Sequence, residues 1–247
     1  MQLVLATRNE HKLRELRELL PGVELLALPA DVVMPPETGD TFVANAIIKA
    51  EAAVAATGLP AVADDSGIEA SALGGAPGVY SARFAGEHAS DQENLDKLLR
   101  EVTPDSDPRL AYACVLAYLP AAGAEPVLFE GRCTGTITHD PRGEHGFGYD
   151  PAFVPDDRDD GLTMAELDPR DKDAISHRGR AARAFASWLE TAGARAGDGE
   201  ATDRGGSGGE ATDRGADGRA TDRGADGRAT DRGADGRATD RGEGEAA

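Results

Sequence analysis

Residues 59–67 read Leu-Pro-Ala-Val-Ala-Asp-Asp-Ser-Gly, a short apolar run that ends in two adjacent acids, Asp64 and Asp65. Like charges repel and each carboxylate resists desolvation, so the pair is costly at the mouth of a strand. A divalent cation or a proton-transfer task offsets that cost, and hard carboxylate oxygens favour Mg²⁺. The alternative is an acidic turn, because Asp-Asp-Ser-Gly is also good loop sequence. The stretch predicts a strand at 60–63 that feeds an acidic site or a turn.

A second signal is a strand that runs into a helix at the start of the chain. Residues 2–6 are mostly apolar, and leucines 13, 16, 19 and 20 follow at helical spacing. The free N–H groups and the positive dipole end of such a helix form an anion site, with Thr7 or Asn9 as cap. Lys12 lies about one turn in and leans back toward the same anion. The alternative is a capped surface helix with a solvated lysine.

Two further segments carry groups suited to a planar, anionic ligand. Residues 146–151 read Gly-Phe-Gly-Tyr-Asp-Pro, a loop that can lay an aromatic ring against a base. Lys172 precedes a helix that opens with His177 and Arg178. Each segment taken alone is more typical of a turn or a solvated helix start. The chain contains neither a P-loop nor the dinucleotide-binding fingerprint.

Taken together, these segments resemble one family, the inosine triphosphate pyrophosphatases, also called XTP/dITP diphosphatases or non-canonical purine NTP pyrophosphatases. The resemblance runs from Met1 to about Ala192 and rests on eight segments in the same order. They are Thr7-x-Asn9-x-x-Lys12, Glu37-Thr38-Gly39, Phe42-x-x-Asn45-Ala46, Ala63-Asp64-Asp65-Ser66-Gly67, Leu73-Gly74-Gly75-Ala76-Pro77-Gly78, Tyr80-Ser81-Ala82-Arg83, Phe147-Gly148-Tyr149-Asp150 and Ser176-His177-Arg178-Gly179.

The resemblance implies an α/β fold, a mixed central sheet in two lobes around a nucleotide-binding cleft, and a homodimer. It implies hydrolysis of ITP, dITP and XTP at the α-phosphorus to a monophosphate and pyrophosphate, which cleanses the nucleotide pool. Two alternatives remain. A Maf-like nucleotide pyrophosphatase of different base specificity would share the fold, and a non-catalytic nucleotide-binding regulator would keep the cleft.

The resemblance also implies roles for individual residues. Asp65 matches the catalytic base, Glu37 and Asp65 match the ligands of Mg²⁺, and Asp64 supports the base or contacts a second metal. Phe147 is the expected stacking face for the base, with Arg178 and His177 as candidate donors to its 6-oxo group. The expected substrate-binding residues are Thr7, Arg8, Asn9, Glu10, His11, Lys12, Ser66, Phe147, Gly148, Tyr149, Asp150, Lys172, His177 and Arg178.

Composition predicts an intracellular, cytoplasmic enzyme. Two cysteines, Cys114 and Cys133, are too few for a disulfide framework, so reduced core thiols are expected. The chain shows no secretory signal pattern and no apolar run of membrane-spanning length, so we expect no membrane association.

The charge balance is strongly acidic, with a net charge of −19, four lysines and 22 arginines. Such a surface argues against nucleic acid as a partner. An acid-rich, lysine-poor composition fits a protein that works in concentrated salt, where repulsion is screened within a few ångströms. The alternative is an ordinary acidic cytosolic protein.

The chain divides into a domain at 1–192 and a tail at 196–247. The sequence Ala-Thr-Asp-Arg-Gly begins at residues 201, 211, 220, 229 and 238. The tail has 13 acids and 8 arginines, so it contributes −5 and leaves −14 for the rest of the chain. It has no large apolar residue with which to offset its ordering entropy, and we expect it to be disordered.

Periodicity, caps and turn residues give an alternating order of elements. The predicted strands lie at 2–6, 23–28, 60–63, 109–119 and 126–138, with a short strand or turn at 80–84. The predicted helices lie at 9–20, 41–57, 91–101 and 176–192. Asp40 or Thr41 is the expected cap of the second helix, with Gly58 past its end. Capping boxes are expected at Ser90 with Glu93 and at Thr163 with Glu166.

Overall fold

The computed structural model describes residues 1–200, with side chains described as far as Ala192. The strands are β1 (Gln2–Leu5), β2 (Glu24–Ala27), β3 (Ala61–Ala70), β4 (Arg109–Leu119), β5 (Val127–Ile137) and β6 (Phe153–Pro155). The helices are α1 (Glu10–Leu19), α2 (Phe42–Thr57), α3 (Asp91–Glu101), α4 (Pro169–Ile175) and α5 (His177–Glu200). The predicted tail begins within the last turns of α5, and its residues 201–247 lie outside the described part of the chain.

The six strands form one mixed sheet in the order β2-β1-β3-β4-β5-β6. Strands β2, β1 and β3 are parallel, whereas β3 to β6 pair antiparallel. The expected mixed α/β sheet is therefore confirmed. The parallel strands are linked through α1 and α2, as the helical crossover of parallel strands requires.

The acidic pair was predicted to follow the strand β3, but it lies inside that strand. The strand continues to Ala70, and Asp64 and Asp65 pair with Leu116 and Val115 of β4. Both carboxylates are nearly fully buried. The prediction of a four-residue strand was wrong because it treated buried carboxylates as strand breakers, whereas cations from other elements neutralise them here.

Several helix boundaries are confirmed. The Thr41 hydroxyl accepts a hydrogen bond from the Ala44 N–H and caps α2, which ends at Gly58 with a φ of 67°. A left-handed residue at this position favours glycine. Ser90 and Glu93 form the predicted capping box of α3.

Other expectations were wrong or incomplete. Residues Gly78–Arg83 form a 3₁₀ helix, so of the strand or turn predicted at 80–84 the strand alternative is wrong. Glu166 accepts the Thr163 N–H at 2.8 Å, but the Thr163 hydroxyl donates to the Arg142 carbonyl and residues 164–166 form a turn. The next helix, α4, is capped by Asp168 instead. The predicted last helix is confirmed as α5, but α4, which precedes it and ends at Ile175 with Ser176 as its C-cap, was not predicted. The short strand β6 was not predicted.

The buried apolar residues form three clusters. One packs α1 and α5 on one face of the sheet around Leu16 and Phe185, and one packs α2 on the other face around Ala50. The third cluster is centred on Leu98 of α3 and Phe153 of β6. Cys114 and Cys133 are both free and buried, which confirms the expectation for the thiols. Among the residues that the structure describes, no helix has the length and apolarity needed to cross a bilayer.

Candidate active site

A pocket opens where the start of α1, the middle of β3 and the start of α5 meet the third apolar cluster. Its lining includes ten of the predicted substrate-binding residues, namely Asn9, Lys12, Ser66, Phe147, Gly148, Tyr149, Asp150, Lys172, His177 and Arg178.

Four of the predicted substrate-binding residues do not line this pocket, and neither do the predicted metal ligands Glu37 and Asp65. Thr7 accepts the Asn9 N–H, and Asn9 in turn caps α1 by accepting the N–H groups of His11 and Lys12. Arg8 donates to the carbonyls of Pro29, Ala30 and Val32, so the loop after β2 holds it away from the pocket. Glu10 lies in the exposed first turn of α1, and His11 reaches the pocket only through its stacking contact with Phe147.

Asp64 is an ionic anchor with both oxygens occupied. Its Oδ1 accepts hydrogen bonds from the Lys12 ammonium and, at 2.9 Å, from the Ser66 hydroxyl. Its Oδ2 accepts from Arg178 Nε at 2.8 Å and from the Cys114 thiol at 3.3 Å. Burial alone would raise the pKa of Asp64, but Arg178 and Lys12 outweigh it and hold that pKa well below its ordinary value. Asp64 is therefore ionised, and it fixes two cations of the pocket.

Asp65 has a different environment, shared with Glu37. Lys49 Nζ lies 2.6 Å from Asp65 Oδ1, 3.0 Å from Glu37 Oε1 and 2.7 Å from the Asp64 carbonyl oxygen. Burial raises the pKa of Asp65 against the opposing charge of Lys49. Burial would also raise the pKa of Glu37, but Lys49 and Arg83 hold it below its ordinary value.

The second oxygen of the Asp65 carboxylate, Oδ2, is buried and has no hydrogen-bond partner among the described residues. A buried carboxylate oxygen without a partner is costly, so this atom is suited to accept a proton or bind a cation. Glu37 and Asp65 are drawn to one ammonium, which places their oxygens close together. Among residues 1–200 no group of three His, Cys, Asp or Glu side chains converges on one point. Two carboxylates nevertheless fit Mg²⁺, which usually keeps several waters and contacts substrate phosphates.

A second ionic network borders the far side of the pocket. Lys172 Nζ lies 2.8 Å from Asp150 Oδ2 and 2.9 Å from Glu15 Oε1, and Glu15 also accepts from Arg178. Asp150 Oδ2 accepts the Phe147 N–H at 2.9 Å, which ties the glycine-flanked loop to this network. Burial lowers the pKa of Lys172, but Asp150 and Glu15 outweigh it and raise that pKa above its ordinary value, so its ammonium stays charged.

The loop at 146–150 fits this network only because of its glycines. A Cβ at Gly146, which has a φ of 74°, would lie 2.1 Å from Asp150 Oδ2 and 2.9 Å from Lys172 Nζ. The Phe147 ring stacks on His11 with 5.1 Å between centroids, and Lys172 Nζ lies 5.3 Å from its centroid. The ring predicted to receive a base thus has the His11 ring against it.

His177 is buried and neutral. Burial and the charge of Arg178 hold its pKa well below the ordinary value. Its ring stacks on Tyr112 with 4.6 Å between centroids and 6° between planes. A neutral imidazole presents one donor and one acceptor to the pocket, whereas Arg178 presents donors only.

Sequence reasoning missed Lys49, Glu15, Arg83 and Tyr112. Lys49 carried a signal, because it is one of only four lysines and stands alone as a cation in the apolar sequence of α2, one turn after Asn45. Arg83 is the last residue of the motif at 80–83, which contributed to the resemblance but suggested no role for Arg83 itself. Glu15 looks like a solvent-facing residue of α1 and Tyr112 like an ordinary strand residue, so the sequence offered no signal for either.

The fold and the site define an α/β enzyme with a buried carboxylate pair beside a cation-rich pocket that suits an anionic ligand with a planar ring. Residues 3–188 match the model of the Ham1 family, and the chain belongs to that family.

Named relatives agree with this assignment. The chain is 50% identical over 186 residues to a dITP/XTP pyrophosphatase of Erwinia tasmaniensis, covering 73% of this chain and 90% of that protein. It is 49% identical over 196 residues to a dITP/XTP pyrophosphatase of Halorhodospira halophila, covering 75% of this chain and 95% of that protein. Among solved structures, a HAM1 protein from Coxiella burnetii matches with a TM-score of 0.71 at 43% identity, covering 77% of this chain and 99% of that chain.

Proposed function

We propose that this protein hydrolyses the non-canonical purine nucleoside triphosphates ITP, dITP and XTP to the monophosphate and pyrophosphate. The observation that carries the proposal is Asp65 Oδ2, which has no hydrogen-bond partner among the described residues and which Lys49 holds beside Glu37. Asp65 does not line the pocket itself, but it directly precedes Ser66, which does. Family membership and the names of the relatives support the same substrate class.

The triphosphate needs positive charge in a protein whose surface is acidic. Lys12 and the positive dipole end of α1 supply it at one end of the pocket. Lys12 is already oriented by Asp64, so little side-chain entropy is lost when a phosphate arrives. This pre-ordering favours a loose, in-line phosphoryl transition state, which depends on positioning and charge neutralisation.

Asp65 acts as the base. A water oxygen forms a bond to the α-phosphorus, its proton passes to Asp65 Oδ2, and the bond from the α-phosphorus to the bridging oxygen breaks, releasing pyrophosphate. Burial raises the pKa of Asp65, which makes it a better proton acceptor than an exposed aspartate. Glu37 and Asp65 would hold Mg²⁺, which supplies charge neutralisation to the phosphates when bound.

Base selection rests on donors aimed at a 6-oxo group. Arg178 is fixed by Asp64, Glu15 and Ser66, so it cannot turn away from a mismatched base. Hypoxanthine and xanthine present an acceptor at this position, whereas adenine presents an amine that would face another donor. Such a mispairing in a closed site is strongly penalised.

We further propose a cytoplasmic homodimer adapted to high salt. The resemblance supports the dimer, the two free buried thiols fit a reducing compartment, and the net charge of −19 with four lysines fits concentrated salt. Light scattering after size-exclusion chromatography at 2 M KCl tests the dimer, and a monomeric mass would overturn it.

The decisive experiment is a panel of nucleoside triphosphates with Mg²⁺, assayed separately for pyrophosphate and orthophosphate. ITP, dITP and XTP should give pyrophosphate, with ATP slower by about a hundredfold, the scale of one mispaired polar group. Orthophosphate as the main product, or ATP as the best substrate, would refute the proposal. A preference for pyrimidine nucleotides would indicate the Maf-like alternative, and ITP binding without turnover would indicate a regulator.

A further inference from the structure

Tyr112 lies beneath the base-binding side of the pocket and has no role in the reaction described above. It is a residue of β4, is 7% exposed, and contributes to the lining of the pocket. Its side chain contacts two groups that border the pocket from different elements, Asp150 after β5 and His177 at the start of α5.

The hydroxyl contact fixes Asp150. Tyr112 donates to Asp150 Oδ1 at 3.0 Å, while the other oxygen of Asp150 receives the Phe147 N–H and the Lys172 ammonium. The two oxygens are therefore bound from different sides, which fixes the plane of the carboxylate. Through Asp150, the Tyr112 hydroxyl helps to set both the aromatic loop and the Lys172 ammonium.

The ring contact fixes His177. The Tyr112 and His177 rings are within 6° of parallel. The Tyr112 ring also packs against the Phe153 ring, with 4.8 Å between centroids. His177 Nδ1 is buried without a hydrogen-bond partner among the described residues, so no bond at that atom orients the imidazole. The stack on Tyr112 is then the contact that holds the ring in place.

The hydroxyl remains a donor across the working pH range. Burial and the nearby Asp150 carboxylate raise the pKa of Tyr112 well above its ordinary value. A buried tyrosine with its hydroxyl bound to a carboxylate also has little freedom to move.

We propose that Tyr112 is a positioning residue that sets purine selectivity by orienting Asp150 and His177 from beneath the base pocket. This inference rests on the proposed function and adds to it a residue that acts through two others. It predicts that selectivity depends on the Tyr112 hydroxyl even though the hydroxyl need not contact the substrate.

The test is Tyr112→Phe, which removes only the hydroxyl and keeps the ring stack. The matched control is Tyr118→Phe, because Tyr118 lies on the same strand, is 5% exposed, and packs against Phe185 and Trp188 away from the pocket. Tyr112→Phe should raise KM for ITP by about 5- to 30-fold, the scale of a hydrogen bond to a charged group, with kcat nearly unchanged. The ITP-to-ATP ratio of kcat/KM should fall, and Tyr118→Phe should change neither.

Two further measurements separate positioning from a merely structural role. The affinity for IMP, measured by calorimetry in EDTA, should weaken in Tyr112→Phe by a factor similar to the change in KM. In a double-mutant cycle with Asp150→Ala, the effects on IMP affinity should be strongly non-additive, because both changes remove the same contact. A lowered Tm with unchanged KM, selectivity and IMP affinity would overturn the inference, as would additive effects in the cycle.

Failure of the proposed function can be distinguished from failure of the inference. If the wild type does not turn over ITP, the proposed function fails, and the IMP measurements alone decide the role of Tyr112. If the wild type also binds no IMP, the pocket is not a purine site and the inference is overturned as well.

Discussion

Asp64 and Asp65 are consecutive residues of β3, yet their carboxylates are bound by cations from different helices. Successive side chains of a strand point to opposite faces of the sheet. Asp64 accordingly receives Arg178 Nε of α5 at 2.8 Å, and Asp65 receives Lys49 Nζ of α2 at 2.6 Å. The alternation resolves the repulsion of the pair. It separates the ion-paired Asp64 from Asp65, whose Oδ2 has no hydrogen-bond partner among the described residues.

Asp65→Asn keeps the shape of the side chain but removes its charge and its basic oxygen. We expect kcat for ITP to fall by about 10²- to 10⁴-fold while ITP still binds, the range for loss of a positioned base. Steady-state kinetics and an ITP binding assay give the result. Asp107→Asn is the control, because Asp107 pairs with Arg109 and does not line the pocket, and it should leave kcat unchanged. Near-normal turnover in Asp65→Asn would show that Asp65 is not the catalytic base.

Lys12→Ala removes a phosphate contact that is made in both the ground state and the transition state. We expect KM for ITP to rise by roughly 10- to 100-fold, with a smaller effect on kcat. Lys97→Ala is the matched control, because Lys97 lies on α3 and donates to the Phe84 carbonyl at 2.7 Å, outside the pocket lining. An equal rise of KM in both variants would show a general charge effect rather than a contact.

Lys49→Met tests the cation shared by Asp65 and Glu37. Lys49 lowers the pKa of Asp65 against the raising effect of burial, so its loss should move that pKa upward. Asp65 would then be protonated over a wider acidic range, and the acid limb of the kcat/KM profile should shift to higher pH. The loss of activity should therefore be larger at pH 6 than at pH 9. A pH-independent loss would indicate that Lys49 acts only on the substrate.

Asp173→Asn tests a half-buried carboxylate near the second ionic network. Burial and the charges of Glu15 and Glu18 raise the pKa of Asp173 to about 6. Between about pH 4 and pH 6 the native state then binds more protons than the unfolded state, so the contribution of Asp173 to stability falls as pH rises.

The Asp173→Asn variant should therefore be more stable than the wild type above pH 6, by about 1 kcal/mol after allowance for solvent screening. The difference should vanish below pH 4. Urea unfolding at pH 3.8 and pH 7.5 measures this, with the exposed Asp105→Asn as control. A constant difference at both pH values would exclude titration as the cause.

Salt dependence tests the high-salt proposal. The part of the chain before residue 196 has a net charge of −14, so screening should reduce both its self-repulsion and its repulsion of a triphosphate. We expect kcat/KM for ITP to rise between about 0.1 and 3 M KCl, as the Debye length falls from about 10 Å to below 3 Å. A chain truncated after Ala196 should behave the same, because residues 197–247 contain no large apolar residue. A monotonic fall in both proteins would overturn the proposal.

Local sequence signals predicted much of the fold. The caps at Thr41 and Ser90 and the terminal glycine at Gly58 fixed helix boundaries, because capping depends on residues within a few positions of each other. The same local logic failed at Thr163, where a capping-box pair forms part of a turn, and at Asp64, where two acids looked like the end of a strand. At Thr163 the hydroxyl donates to the Arg142 carbonyl instead of capping a helix, and at Asp64 the carboxylate binds Arg178, so in both cases the partner is distant in sequence.

The sequence by itself determined the order of most strands and helices, ten of the residues that border the pocket, and the resemblance that led to the family. The tertiary structure alone decided which cation meets which carboxylate. Glu15 joins Arg178 across 163 positions and Lys12 joins Asp64 across 52. Such pairings follow from how the helices pack on the sheet, since the free energy of a buried charge depends on partners that folding brings together. The different environments of the Asp64 and Asp65 carboxylates therefore follow from the tertiary structure.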